Sequence, residues 1–300
     1  MRTKIFRLSL FGLSAFFLIS LIPLNWYARR SALSLVRPAH LLPAAPDIDS
    51  ILHNSISINF ETTDGLLLRG EYLPSSNNAA VILLHGHAAN RSQMEPDARL
   101  LAGNGFGVLL FDARNSGESE GDLTTLGLKE VIDVQAAYDF LIKQDDIDPK
   151  RIGVLGHSMG GSTAILAGAQ IPELSAIVAQ STFTSLEDNV TNGVQNYLGL
   201  PPFPFAPLVL FWGQYESGMQ IQQVSPIEQI SQISPRPVLI VHGAQDQVIP
   251  VENAYRLFEA AKEPKQIYVL AEAEHCCLPQ IGADQYKNKL LDFFEHYLLK

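Results

Sequence analysis

The chain has 300 residues, 47% of them hydrophobic and 17% charged, with a formal net charge of −10. That is enough apolar chain for one large core, and no internal repeat or second block of strand and helix patterns calls for another. An acidic chain with no basic cluster beyond residue 55 argues against nucleic acid as a partner. Its two cysteines, Cys276 and Cys277, are adjacent and so exclude a disulfide framework; they are expected to pack as small residues.

Residues Leu8 to Trp26 read LSLFGLSAFFLISLIPLNW without a charge, with Arg2, Lys4 and Arg7 before them and Arg29, Arg30 and Arg37 after. A helix needs about 20 apolar residues to cross a bilayer, and Trp26 and Tyr27 suit the interface at the end of the run. Residues 1–30 are therefore expected to be a membrane anchor. A cleaved signal peptide is the rival reading, although no A-x-A-like site follows the run. A short basic tail kept inside would leave the rest of the chain exported, or secreted if cleaved. Residues 31–55, interrupted by Pro38, Pro43 and Pro46, read as a linker.

From residue 56 to 300 the pattern is that of one domain. Ser55 to Phe60 alternates polar and apolar residues, Thr63-Asp64-Gly65 supplies a turn and Leu66 to Leu73 returns, which predicts an antiparallel hairpin. Ala80–Leu84 is the first short apolar run of the buried kind, and it leads into His85-Gly86-His87-Ala88-Ala89-Asn90. Gly107–Phe111 is the second, followed by Asp112, which is expected to brace its loop with Arg114. Leu128, Val131, Val134, Tyr138 and Leu141 recur at helical spacing. Ile152–Leu155 then meets Gly156-His157-Ser158-Met159-Gly160-Gly161, and Ala176–Ala179 follows. The pattern loosens from Phe183 to about Ser234, where prolines and aromatics crowd residues 199–212. Val238–Val241 runs into His242-Gly243-Ala244-Gln245-Asp246, and Gln266–Leu270 runs into Ala271-Glu272-Ala273-Glu274-His275. Helical spacing marks Ala254 to Ala261 and Tyr286 to Tyr297. Strands alternating with helices imply an α/β fold with a mostly parallel sheet covered on both faces. Ligands in such sheets bind at the carboxyl ends of the strands.

The chemistry-bearing residues fall at those ends. Gly156 to Gly160 is G-x-S-x-G between a strand and a helix, the context in which that motif presents a serine at the apex of a tight turn. Gly156 and Gly160 lack the Cβ atoms that would clash across it. A serine is a weak nucleophile until a base takes its proton, and histidine suits that task near neutral pH. Of eight histidines, only His275 follows a strand end after the serine and an acid, the chain order this arrangement requires. Asp246 is the matching acid. His40 and His53 lie in or near the linker, His296 sits on the last helix, His157 fills space inside the turn, and His85 and His242 suit loop-fixing hydrogen bonds. Metal ligation by His85, His87 and His275 lacks a matching carboxylate or cysteine set. The oxyanion formed on attack needs two backbone N–H donors: Met159, which follows the serine, and His87, in the loop after the first buried run.

LLHGHAAN, FDARNSGES, GHSMGG, HGAQDQVIP and AEH, in that order, resemble the α/β-hydrolase superfamily, nearest to its lipase-like serine aminopeptidase and dipeptidyl-peptidase-like esterase branch. The resemblance covers about residue 56 to the end. It implies an α/β-hydrolase fold, a lid insert over about 183–234, a small-molecule acyl substrate or peptide, and no metal or organic cofactor. Two stretches depart from it: the Gly-rich segment after HG is His-Ala-Ala, and R-G-x-G-x-S reads Arg114-Asn115-Ser116-Gly117-Glu118-Ser119. The expected activity is hydrolysis of an ester, thioester or amide through an acyl-enzyme on Ser158, carboxylic esters first. Acyl transfer on the same triad and a non-catalytic binding role on a hydrolase scaffold are the other two readings.

Overall fold

The computed structural model describes residues 22–43, 54–196, 198–276, 278 and 283–300. Among these residues eight strands form one sheet: β1 (Ile56–Glu61), β2 (Leu67–Leu73), β3 (Ala80–Leu84), β4 (Gly107–Phe111), β5 (Ile152–His157), β6 (Ala176–Gln180), β7 (Val238–Gly243) and β8 (Lys265–Leu270). Their order across the sheet is β1-β2-β4-β3-β5-β6-β7-β8. The pairs β1–β2 and β2–β4 are antiparallel and all others parallel. This is the α/β-hydrolase arrangement the motifs imply.

The helices are α1 (22–36), then α2 (Glu95–Gly103), α3 (Glu130–Leu141), α4 (Met159–Gln170), α5 (Leu186–Asn196), α6 (Pro202–Ser217), α7 (Pro226–Gln229), α8 (Glu252–Ala260) and α9 (Ala283–Leu298). The central strands β3 to β7 are buried at every position, and mostly apolar, because successive side chains point to opposite faces and both faces are covered. Ala80, Ile82 and Leu84 of β3 enter one core cluster with residues of α3, α4 and α8. Val81 and Leu83 enter the other, with Ala98 and Leu101 of α2 and Tyr286, Leu290, Phe293 and Phe294 of α9.

The N-terminal boundary differs from the sequence expectation. The helix runs through residue 30 to Val36, and Ala28, Ala32 and Val36, each four apart, are buried in the main core. Residues 31–36 are thus packed helix, not linker. The stripe that docks is two alanines and one valine, a weak pattern beside the strongly apolar run upstream, and Pro38, Pro43 and Pro46 all lie beyond it. Among the described residues no helix is long and apolar enough to cross a membrane. The expected spanning run lies mostly outside them, at residues 8–21, as does His53.

Candidate active site

The turn after β5 positions Ser158. Its backbone sits at φ 56° and ψ −114°, a strained conformation for a residue with a Cβ. The surroundings hold it there: its N–H donates to the Gln180 carbonyl at 2.8 Å, and Thr182 Oγ1 donates to its carbonyl at 2.9 Å. A Cβ on Gly156 would lie 2.0 Å from the Gly160 carbonyl oxygen, across the turn. A Cβ on Gly160 would lie 2.2 Å from the Leu84 carbonyl oxygen, so this glycine clears β3 rather than the turn itself. α4 begins at Met159 and points its positive end at the serine.

The ends of β7 and β8 bring the other two residues in. His275 Nε2 lies 3.0 Å from Ser158 Oγ, and His275 Nδ1 lies 2.8 Å from Asp246 Oδ2. Asp246 is buried, and its Oδ1 accepts from the N–H groups of Val248 and Ile249, both at 2.8 Å. Burial alone would raise its pKa. Hydrogen bonds from His242 and His275, and the charge His275 can carry, outweigh burial and hold it at about 2. The carboxylate therefore stays ionised beside the imidazole. The described chain thus has a hydroxyl, a base and an anion in line, which is the geometry for moving a proton from Oγ to Nε2.

Three further histidines surround this line. His157 packs its ring 5.1 Å from that of His275, and burial, with the neighbouring His275, depresses its pKa to about 3. His85 Nε2 accepts from the Ala113 N–H at 3.0 Å, so Nδ1 carries the proton and donates to the Gly86 carbonyl at 2.7 Å. His242 Nε2 lies 2.8 Å from the Ile249 carbonyl and 3.2 Å from Asp246 Oδ2. The contact with Asp246 was not foreseen, although His242 sits four residues before Asp246 at the end of the same strand.

The loop after β3 reaches the serine. A Cβ on Gly86 would come 3.4 Å from Ser158 Cβ, and the Gly86 N–H is held by Gln93 Oε1 at 2.7 Å. The His87 imidazole donates through Nε2 to the Leu35 carbonyl of α1 at 2.8 Å. Asp112 does not pair with Arg114. It takes the Arg91 guanidinium at 2.5 Å and the N–H groups of Arg91 and Glu118. Arg114 instead bonds Asp133 of α3 at 2.7 Å and Asp64 at 2.9 Å. Parallel pairing of β3 and β4 sets their two loops side by side, which is why Arg91 reaches Asp112.

Ser158, Met159 and His87 open into a cavity of about 400 Å³. Its walls come from α1 through Ser31, Ser34 and Leu35, from α5 through Val190 and Val194, and from Phe183, and among the described residues no carboxylate, lysine or arginine lines it. The aromatic stretch around residues 199–212 contributes only Val209 from α6, while Phe203, Phe211 and Tyr215 are exposed. Cys276 is exposed rather than packed, and Cys277 lies outside the described residues. Among the described residues no group of three or more His, Cys, Asp or Glu side chains is placed to hold a metal ion.

The model of the Prolyl oligopeptidase family matches residues 92–300. The chain is 33% identical to the uncharacterized protein Rv2307c of Mycobacterium tuberculosis, over 77% of this chain and 75% of the relative. It is 28% identical to YfhR of Escherichia coli over 79% of each. Among solved structures, the esterase Pf2001 of Pyrococcus furiosus superposes with a TM-score of 0.73 at 26% identity, covering 88% of this chain and 98% of the esterase. With that match laid over a sheet of this order, the chain belongs to the prolyl oligopeptidase family within the α/β hydrolases and is a serine hydrolase of esterase or peptidase type.

Proposed function

We propose that the protein is a carboxylesterase-like hydrolase that cleaves an acyl bond through a covalent intermediate on Ser158. The observation that carries this reading is the position of His275, 3.0 Å from Ser158 Oγ on one ring nitrogen and 2.8 Å from Asp246 on the other. Oγ attacks the acyl carbon while His275 Nε2 takes its proton; Nδ1–H stays bonded to Asp246, which stabilises the imidazolium. The backbone N–H groups of Met159 and His87 receive the oxyanion, each contributing about 3 kcal/mol to lowering the barrier. His275 returns the proton to the leaving alcohol or thiol. A water molecule, deprotonated by the same nitrogen, then releases the acid and regenerates Oγ–H.

The cavity favours an ester or thioester with an apolar acyl group over a peptide. Its lining is mostly Leu, Val, Ile, Met and Phe, with no carboxylate, lysine or arginine among the described residues to meet a peptide terminus. Labelling with a small fluorophosphonate, wild type against Ser158→Ala, tests the nucleophile. Labelling of the wild type alone, with hydrolysis of p-nitrophenyl esters lost in the variant, is the expected result; equal labelling of both, or of neither, removes the assignment.

For location, we propose that the uncharged run Leu8–Trp26 anchors the enzyme in a membrane, with the domain exported. Carbonate extraction of membranes and mass spectrometry of the mature N-terminus distinguish an anchor from a cleaved leader.

A further inference from the structure

We propose that α1 is a substrate-selecting wall of the acyl cavity, and that Ser31 and Leu35 set the acyl length the enzyme accepts. This rests on the esterase reading of the same site. Ser31, Ser34 and Leu35 are spaced three and four residues apart, so they share one face of the helix. All three line the cavity into which Ser158 opens. The adjacent stripe, Ala28, Ala32 and Val36, is buried in the domain core. One helix therefore faces the core with one stripe and the substrate space with the next.

The wall is fixed on several sides. Arg29 Nε bonds Glu216 of α6 at 2.7 Å, and its guanidinium lies 5.2 Å from the centre of the Trp212 ring. Trp212 Nε1 donates to Asn25 Oδ1 at 2.8 Å. The Val36 carbonyl accepts from the Thr124 N–H at 2.9 Å, and the Leu35 carbonyl holds the His87 imidazole in the loop that reaches Ser158. α1 is thus tied to α6 and to the loop beside the nucleophile at once. A wall held this way cannot simply yield to a longer acyl group, so the size of its side chains decides the fit.

Ser31 is small. Its carbonyl accepts the Ser34 hydroxyl at 2.7 Å, and its own short side chain leaves cavity volume that a larger residue would occupy. Leu35 is the bulkiest α1 residue facing the cavity. The two positions should therefore move the length preference in opposite directions.

The test uses the full chain and the kcat/KM ratio of p-nitrophenyl octanoate to p-nitrophenyl acetate. Ser31→Phe is expected to lower that ratio at least about tenfold, the scale set by misfitting methylenes in an apolar pocket. Leu35→Ala is expected to raise it and to move the optimum of an acetyl-to-dodecanoyl series to longer chains. A ratio within about twofold of wild type in both variants, or an equal fall on both esters, overturns the proposal. If Ser31→Phe does not fold, Leu35→Ala decides alone, because it adds no bulk; an unchanged series there overturns it. Fluorophosphonate labelling of the wild type reports on Ser158 separately. Its absence sinks the esterase reading, whereas intact labelling with an unchanged length series sinks only the role of α1.

Discussion

His242 and Asp246 meet through Nε2 and Oδ2 at 3.2 Å, with both side chains buried. The Ile249 carbonyl lies 2.8 Å from the same nitrogen. Both neighbours accept, so Nε2 carries a proton; Nδ1 has no partner among the described residues. Replacing His242 with Leu removes one donor from a buried carboxylate. A hydrogen bond to a charged group is worth about 2 kcal/mol, and urea unfolding should show a loss of that size. An unchanged midpoint would mean that the backbone donors of Val248 and Ile249 suffice alone.

Asp246→Asn keeps the shape and discards the charge. The amide can offer an N–H to His275 Nδ1 and so favour the tautomer that cannot accept from Ser158. By analogy with other triads, kcat on an activated ester should fall about 10⁴-fold with little change in melting temperature. Activity within about tenfold of wild type would place the orienting acid elsewhere.

Two glycines make opposite predictions. Gly160→Ala puts a Cβ 2.2 Å from the Leu84 carbonyl oxygen and 2.8 Å from that of His85, both backbone atoms of or beside β3. It should cost about 3 kcal/mol or more and displace the loop that carries His87. Gly213, inside α6, has nothing within 4 Å of an added Cβ. Gly213→Ala should stabilise by about 0.5–1 kcal/mol, through helix propensity and a less flexible unfolded chain. Thermal melts of the two variants moving in the same direction would contradict this account.

Arg91→Met leaves Asp112 buried without its cation. Breaking a buried pair by removing one partner costs about 3–5 kcal/mol, and Arg91 also reaches Glu118 at 2.7 Å. The double variant Arg91→Met with Asp112→Asn should recover part of that loss in denaturant titrations. No recovery would show that the stability lies in the fit of the loops rather than in the charges.

Asp97 gives the protein a pH dependence of its own. It is fully buried beneath α9, where Tyr286 donates to it at 2.5 Å and Gln180 donates in turn to Tyr286. Burial raises its pKa from 3.8 to about 6, against the pull of those hydrogen bonds. The folded state therefore holds this proton more tightly than the unfolded chain does. Stability falls as pH rises from about 4 through 6, by about 3 kcal/mol in all, and the penalty persists above that range. Asp97→Asn should lack this fall and match or exceed the wild type at pH 8; a parallel fall in both proteins would assign the slope to other groups.

The six parallel strands were legible because burial on both faces demands unbroken apolar runs, and those runs stand out between polar loops. That Ser158, Asp246 and His275 come together was legible because each lies within a few residues of the end of such a run. Partners set by three-dimensional neighbourhood were not. Nothing in the spacing of Arg91 and Asp112 signals a bond, since it exists only because β3 and β4 pair. The expected Asp112–Arg114 contact failed for that reason, and Arg114 was drawn to Asp133 on the next helix. α2 went unread although Met94, Ala98 and Leu101 carry its buried stripe. α1 was misread because its docking stripe is built from small residues beside a far more apolar run.

The stretch that matches the family begins at residue 92, yet Ser31, Ser34 and Leu35 border the chamber in front of Ser158. A comparison confined to residues 92–300 leaves this border out. Sorting such enzymes by what they digest therefore calls for aligning the stretch ahead of residue 92 as well.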